Sequence, residues 1–132
     1  VFEKQLLLAQ KYNKPVLIHC VAAFQEVMDT KKKLNISVPM IIHGYSKGLQ
    51  LAKQLLDNGF YISFGIYLLR NPELESVFTG IPNNRFFLET DTVEENLDVV
   101  YTLAAKYKGV NLEEIQKQIS SNFQAVFKAD LI

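Results

Sequence analysis

Two histidines and an aspartate close three separate apolar runs of this sequence: His19 in KPVLIHC, His43 in VPMIIHG and Asp91 in RFFLETD. Imidazole nitrogens and carboxylate oxygens are standard donors to zinc, manganese and related divalent ions. Taken singly, each residue has a plainer reading. A histidine ending an apolar run also fits a core residue bonded to backbone, and Asp91 also fits a turn or cap beside Thr92. Taken together they form a pattern. His19 and His43 are the only histidines in the chain, both end apolar runs, and they lie one strand–helix unit apart.

The elements that must position them follow from periodicity and punctuation. Unbroken Val, Leu, Ile and Phe predict strands over Val16–His19, Pro39–Ile42, Tyr61–Phe64 and Phe86–Glu89, of the kind covered on both faces. Helices alternate with them. The first runs to Tyr12 with Phe2, Leu6 and Ala9 on one face, and nothing before Phe2 caps it, so the chain is expected to begin partway through something larger. Phe24, Val27, Met28 and Leu34 mark a second, with Lys31, Lys32 and Lys33 toward solvent; Leu51, Ala52, Leu55 and Leu56 mark a third, closed by Asn58 and Gly59. IYLLR reads as a mobile segment. NPELESVFTG reads as a short helix with Asn71 as N-cap, Pro72 at the first position and Gly80 as terminator. Capping boxes at Thr92/Glu95 and Asn111/Glu114 open two last helices, with Leu97, Val100, Tyr101 and Ala104, then Ile115, Ile119, Phe123 and Phe127, facing the core.

Such alternation predicts an α/β fold with a parallel sheet, a single domain over residues 1–132. The C-terminal ends of its strands share one rim, which brings His19, His43 and Asp91 together. Fourteen basic residues balance fourteen acidic ones, so no global field draws the chain to nucleic acid or membrane, although a local groove remains compatible with DNA. No apolar run reaches the ~18 residues of a membrane span. The lone Cys20 cannot form an internal disulfide, which fits a cytoplasmic location. Cys20 and His19 are strand neighbours pointing to opposite faces, so an inert thiol fits better than a Cys–His nucleophile. Tyr45, Ser46 and Lys47 precede a helix N-terminus, where free N–H groups suit phosphate oxygens; a simple loop and cap is the alternative there, and Arg70 is a further cationic candidate.

These motifs resemble the TatD family of metal-dependent deoxyribonucleases and hydrolases, amidohydrolase-like (β/α)8 barrels. PVLIHC is similar to a family strand ending in a ligand histidine, IIHGYSKG to its LHCFSG motif, GFYISFG to the next strand, RFFLETD to its LLLETD signature, and NLEEI…NFQAVF to its closing helices. The resemblance spans essentially the whole chain and implies the second half, about four strands, of a TIM-like barrel. It implies His19, His43 and Asp91 as ligands of a divalent zinc, magnesium or manganese ion, with Asp91 also activating the attacking water. Glu89 becomes a catalytic candidate that orients a ligand histidine or positions substrate; a purely structural carboxylate is the alternative. The intact family holds two ions. Here its first-half His-x-His pair and bridging Glu are absent, so at most one ion is expected. Thr92-Val93-Glu94 replaces the family's usual Ser or Ala and Pro after ETD, which alters the substrate loop.

The function implied is metal-dependent hydrolysis of phosphodiester bonds in DNA, weak or absent in this fragment. The rival is a noncatalytic half-barrel or assembly module holding at most one loosely bound ion. Partners expected are a DNA or phosphodiester substrate, no membrane, and either a homodimer completing the barrel or a missing N-terminal half.

Overall fold

The four apolar runs become four short strands, β1 (Val16–His19), β2 (Met40–His43), β3 (Phe60–Phe64) and β4 (Phe86–Leu88). The computed structural model describes residues 2–19, 22–89 and 97–127. The strands lie side by side in chain order, β1-β2-β3-β4, and every pairing is parallel. Parallel neighbours need crossover connections, and repeated right-handed crossovers in one direction put the helices on one face. Those helices are α1 (Phe2–Tyr12), α2 (Phe24–Lys33), α3 (Leu49–Asp57), α4 (Ile66–Arg70), α5 (Leu74–Thr79), α6 (Leu97–Lys108) and α7 (Leu112–Phe127). The result is a four-stranded parallel α/β sheet, as the strand–helix alternation predicts, and a partial barrel, as the resemblance implies.

Side chains alternate across the sheet, and the two faces differ. Ile18, Met40, Ile42, Phe60, Ile62, Phe64, Phe86 and Leu88 join Leu6, Val27, Leu55, Phe78 and Val100 from the helices in the main core. One residue out of step, Ile41 and Phe87 form a second, smaller cluster with Val126 of α7, flanked by Tyr61 and Phe127. Leu17, the register partner of Ile41, belongs to the same face but is 65% exposed. The end of α7 therefore covers this face toward β4 and leaves it open toward β1.

Several local expectations change. IYLLR is helical: α4 occupies it, and Leu68 is fully buried. Five residues are too few for a helical stripe to stand out, which hides the element in the sequence. α5 begins at Leu74 rather than Pro72, and no side chain caps it; Asn71 instead offers its carbonyl to the Leu74 N–H at 2.9 Å. Gly80 does end α5, yet its backbone is right-handed (φ −81), and a Cβ there would press against Leu49 Cδ1 at 2.9 Å. Close packing of α5 on α3 thus favours a small residue there, since a side chain would push the Leu49 tip aside. Lys31 leaves the solvated face, folding back to donate to the Ile36 carbonyl (3.2 Å) above the Phe60 ring. Phe123 is 40% exposed and stacks on Phe127 instead of entering the core. Asn111 caps α7 as expected, its Oδ1 accepting from the Glu114 N–H at 2.8 Å. The Thr92/Glu95 box and the Leu97 side chain lie outside the described residues. Among the described residues no helix is long and apolar enough to cross a membrane.

Candidate functional site

β1 and β2 end on their histidines in the same register: His19 is the direct partner of His43. Each sits two residues beyond an inward residue of the second face, Leu17 or Ile41, so both rings share that face. The ring centres are 5.7 Å apart with planes tilted 53°. His19 is exposed and the His43 side chain is 29% exposed, so both meet solvent at the rim.

Glu89 follows β4 directly, its N–H still donating to the Phe64 carbonyl at 2.9 Å. That bond fixes its backbone against β3 and turns its side chain toward the histidines. Its Oε2 faces Nδ1 of His43 and also accepts the Ser63 hydroxyl at 2.7 Å. Two glycines flank it, and Gly65 makes room for it. A Cβ on Gly65 would fall 2.9 Å from both Glu89 Cγ and its carbonyl oxygen, and Gly44, in the left-handed region at φ +68, lies 3.7 Å from Oε1 by the same measure. Gly44 also lets the chain turn sharply after His43, a conformation that side chains with a Cβ seldom adopt.

An ionised carboxylate only accepts hydrogen bonds, so a neutral ring at His43 would present Nδ1–H to Glu89 and keep its lone pair on Nε2. That is the nitrogen a metal takes, and a carboxylate behind a ligand histidine is the usual supporting partner. The spacing fits too. Two imidazoles on one ion at ~2.0–2.1 Å place their ring centres roughly 5 Å apart, close to the 5.7 Å seen here. Among the described residues no three His, Cys, Asp or Glu side chains converge on one point. Asp91, the expected carboxylate ligand, and Cys20 lie outside the described residues.

The expected phosphate contacts separate. Tyr45 is 1% exposed, with Phe24 and Phe64 packed edge-on at 6.3 and 6.0 Å. Its hydroxyl donates to the Gly48 carbonyl at 2.6 Å, and burial pushes its pKa up to about 12. Its side chain points into the core and pins the loop before α3, which matches the loop-and-cap reading rather than a phosphate contact. Ser46 is half-buried, whereas Lys47 and Arg70 are exposed on segments that follow β2 and β3. The depression nearest the histidines, about 280 Å³, is bordered by Phe2, His19, Glu26 and Val27 and includes neither His43 nor Glu89. Among the described residues the rim is thus an open face and not a closed pocket.

Ser63 is a site residue that the sequence motifs do not single out. A signal for it exists all the same: it is the only polar hydrogen-bonding side chain other than a tyrosine in the strand FYISF, and it is 3% exposed.

The model of the TatD related DNase family matches residues 1–128. The chain belongs to the TatD family. Among its curated relatives, the metal-dependent hydrolase YcfH of Escherichia coli K12 is 29% identical over 145 residues, spanning 98% of this chain and 55% of YcfH. A TatD-family hydrolase from Entamoeba histolytica superposes with a TM-score of 0.84 at 18% identity, covering 95% of this chain and 55% of that protein. YjjV, a TatD homologue from Escherichia coli K12, superposes at 0.81 with 22% identity over 94% of this chain and 54% of YjjV. The structural likenesses at these identities speak to the fold. This TatD chain spans about half the length of the relatives it matches.

Proposed function

We propose that this chain carries the C-terminal part of a metal-dependent phosphodiesterase centre, acting on DNA. The register pair His19–His43, with Glu89 behind His43, is the observation that carries the reading. His19 and His43 would hold a divalent cation, and Asp91 would complete the ligand set. Imidazole pairs favour zinc over the harder magnesium. A bound cation supplies Lewis acidity and brings the pKa of a coordinated water toward neutrality.

The chain's own residues do the rest. Glu89 orients His43, keeping its proton on Nδ1 away from the cation side. Lys47 and Arg70, exposed beyond β2 and β3, would meet phosphate oxygens, with Ser46 as a neutral donor. Membership of the TatD family and the likeness to YcfH, a metal-dependent hydrolase, support hydrolysis as the reaction class. Activity of this half alone is expected to be weak, since a second cation has no anchor in it.

One observation favours a second reading, a noncatalytic assembly module: Leu17 of β1 lies exposed on the open face. Metal content of the purified chain, with cleavage of a DNA oligonucleotide and of bis(p-nitrophenyl) phosphate in zinc or manganese, separates the two. Stoichiometric metal and chelator-sensitive cleavage lost in His19→Ala are expected. Cleavage that survives both chelation and His19→Ala would refute the assignment.

A further inference from the structure

We propose that Ser63 is a positioning residue of this centre, holding Glu89 so that His43 keeps one tautomer. The inference rests on the metal-centre reading above. It starts from a hydroxyl that needs explaining. Ser63 is 3% exposed inside an otherwise apolar strand, and a buried hydroxyl is costly unless it is hydrogen-bonded. It donates at 2.7 Å to Glu89 Oε2, the very oxygen that faces His43 Nδ1.

One carboxylate oxygen with two neighbours leaves little freedom in the protons. The oxygen accepts from both, so the hydroxyl proton and the Nδ1 proton must both point at it. In the neutral ring the lone pair is then on Nε2, on the side away from Glu89. Ser63 is too buried to reach a cation or substrate at the rim, so any effect it has passes through Glu89.

The rest of the cradle restrains other parts of Glu89. The Glu89 N–H bond to Phe64 fixes the backbone, and Gly65 leaves the space that Cγ occupies. Neither sets the rotation of the carboxylate about its last bond. The Ser63 hydroxyl, bonded to Oε2 itself, helps to set it. Without it Oε2 loses one of its two neighbours, and the ring can more readily carry its proton on Nε2, the form that leaves no Nε2 lone pair for a cation at the rim.

The test reads the metal-free chain. With 15N-labelled histidine at pH 8, long-range 1H–15N correlations report which ring nitrogen is protonated. Wild type should show His43 as a single Nδ1–H tautomer. Ser63→Ala should show a tautomer mixture at His43 with His19 unchanged, and zinc affinity should fall by about 10–100-fold, the usual loss for a supporting partner. Ser63→Thr keeps the hydroxyl and should restore both readouts. If the alanine variant does not fold, Ser63→Cys, similar in size but a poorer donor, carries the same comparison. A single unchanged tautomer with unchanged affinity in the alanine or cysteine variant overturns the proposal. Failure of every variant, wild type included, to bind zinc would overturn the metal reading on which the inference rests, and the tautomer comparison tells that failure apart.

Discussion

His19 lies directly opposite His43 in the β1–β2 register, their ring centres 5.7 Å apart on one face of the sheet. Two imidazoles so placed can share one ion, and removing either leaves a single nitrogen. His19→Ala and His43→Ala should each lower zinc affinity by more than the roughly 10–100-fold expected for a supporting partner. Titration calorimetry on the purified variants measures this. Equal zinc binding in wild type and both variants would mean that the pair is not a ligand set.

Gly65 should tolerate no side chain. A Cβ there would meet the Glu89 backbone oxygen as well as Cγ, both at 2.9 Å, so the strain cannot be relieved by rotating a flexible tip. Gly65→Ala is expected to cost about 1–3 kcal/mol, the range for overpacking, and to weaken zinc binding along with stability. Urea denaturation gives the first number. A variant as stable as wild type would show that Glu89 can move aside freely.

Much of this arrangement is legible in the amino-acid sequence. The strands announce themselves because residues buried on both faces leave unbroken apolar runs, and the histidines stand out as the polar residues that end them. What the sequence hides is set by packing across the sheet. Ser63 gains its meaning only from Glu89, twenty-six positions away along the chain. Gly80 has the look of a left-handed helix terminator, yet its backbone is right-handed and it sits against the Leu49 tip of α3. Tyr45 looks available to phosphate because a tyrosine in a loop is amphipathic. Only the fold shows Phe24 and Phe64 closing over it.

Tyr45 makes stability depend on alkaline pH. Its pKa rises from 10.0 to about 12 on folding because burial disfavours the phenolate. Between those values the folded chain holds a proton that the unfolded chain has released, so stability falls as pH rises through the window. The loss approaches roughly 2–3 kcal/mol near pH 12. Burial also raises the Tyr101 pKa, which adds in the same sense. Burial lowers those of Lys31 and Lys108, so these two favour the folded chain increasingly as pH climbs toward 10.5. Above that value the tyrosines act alone. Tyr45→Phe loses the bond to Gly48 and should be less stable at pH 8, with a shallower decline from pH 10.5 to 12. Parallel declines in urea midpoint would exclude Tyr45 as the source.

The underside of β4 depends on Asn122. This side chain is 2% exposed, donates to the carbonyls of both Phe86 and Asn83 at 2.8 Å, and accepts from Gln118 at 2.9 Å. Removing the amide leaves the buried Phe86 carbonyl without that donor, which costs about 1–3 kcal/mol. Asn122→Ala should therefore lower the urea midpoint by that much without altering zinc affinity, since the rim lies at the other end of the strand. A loss of zinc binding at full stability would contradict this separation.

The two sheet edges also differ, and the difference decides how copies of the chain should associate. At β4, Asn122 of α7 occupies the Phe86 carbonyl, and Val126 with Phe127 covers the neighbouring face. Among the described residues β1 pairs with β2 alone, and its own Leu17 is 65% exposed. Open edges with apolar neighbours promote association. Closing a barrel from two copies would pair β1 of one with β4 of the other and displace Asn122. Pairing β1 with β1 across a two-fold axis displaces no strand partner among the described residues, but runs the strands antiparallel and sets the two histidine pairs apart. Weak, concentration-dependent dimerisation through β1 is therefore expected when this chain is purified alone. Light scattering from about 10 to 200 μM should show mass rising with concentration in wild type, and Leu17→Lys should suppress the rise through like-charge repulsion across the axis. Asn122→Ala should leave it unchanged, because that substitution frees only the β4 edge. A monomer across the whole range, or a dimer strengthened by Asn122→Ala and indifferent to Leu17→Lys, would show that β1 is not the associating edge.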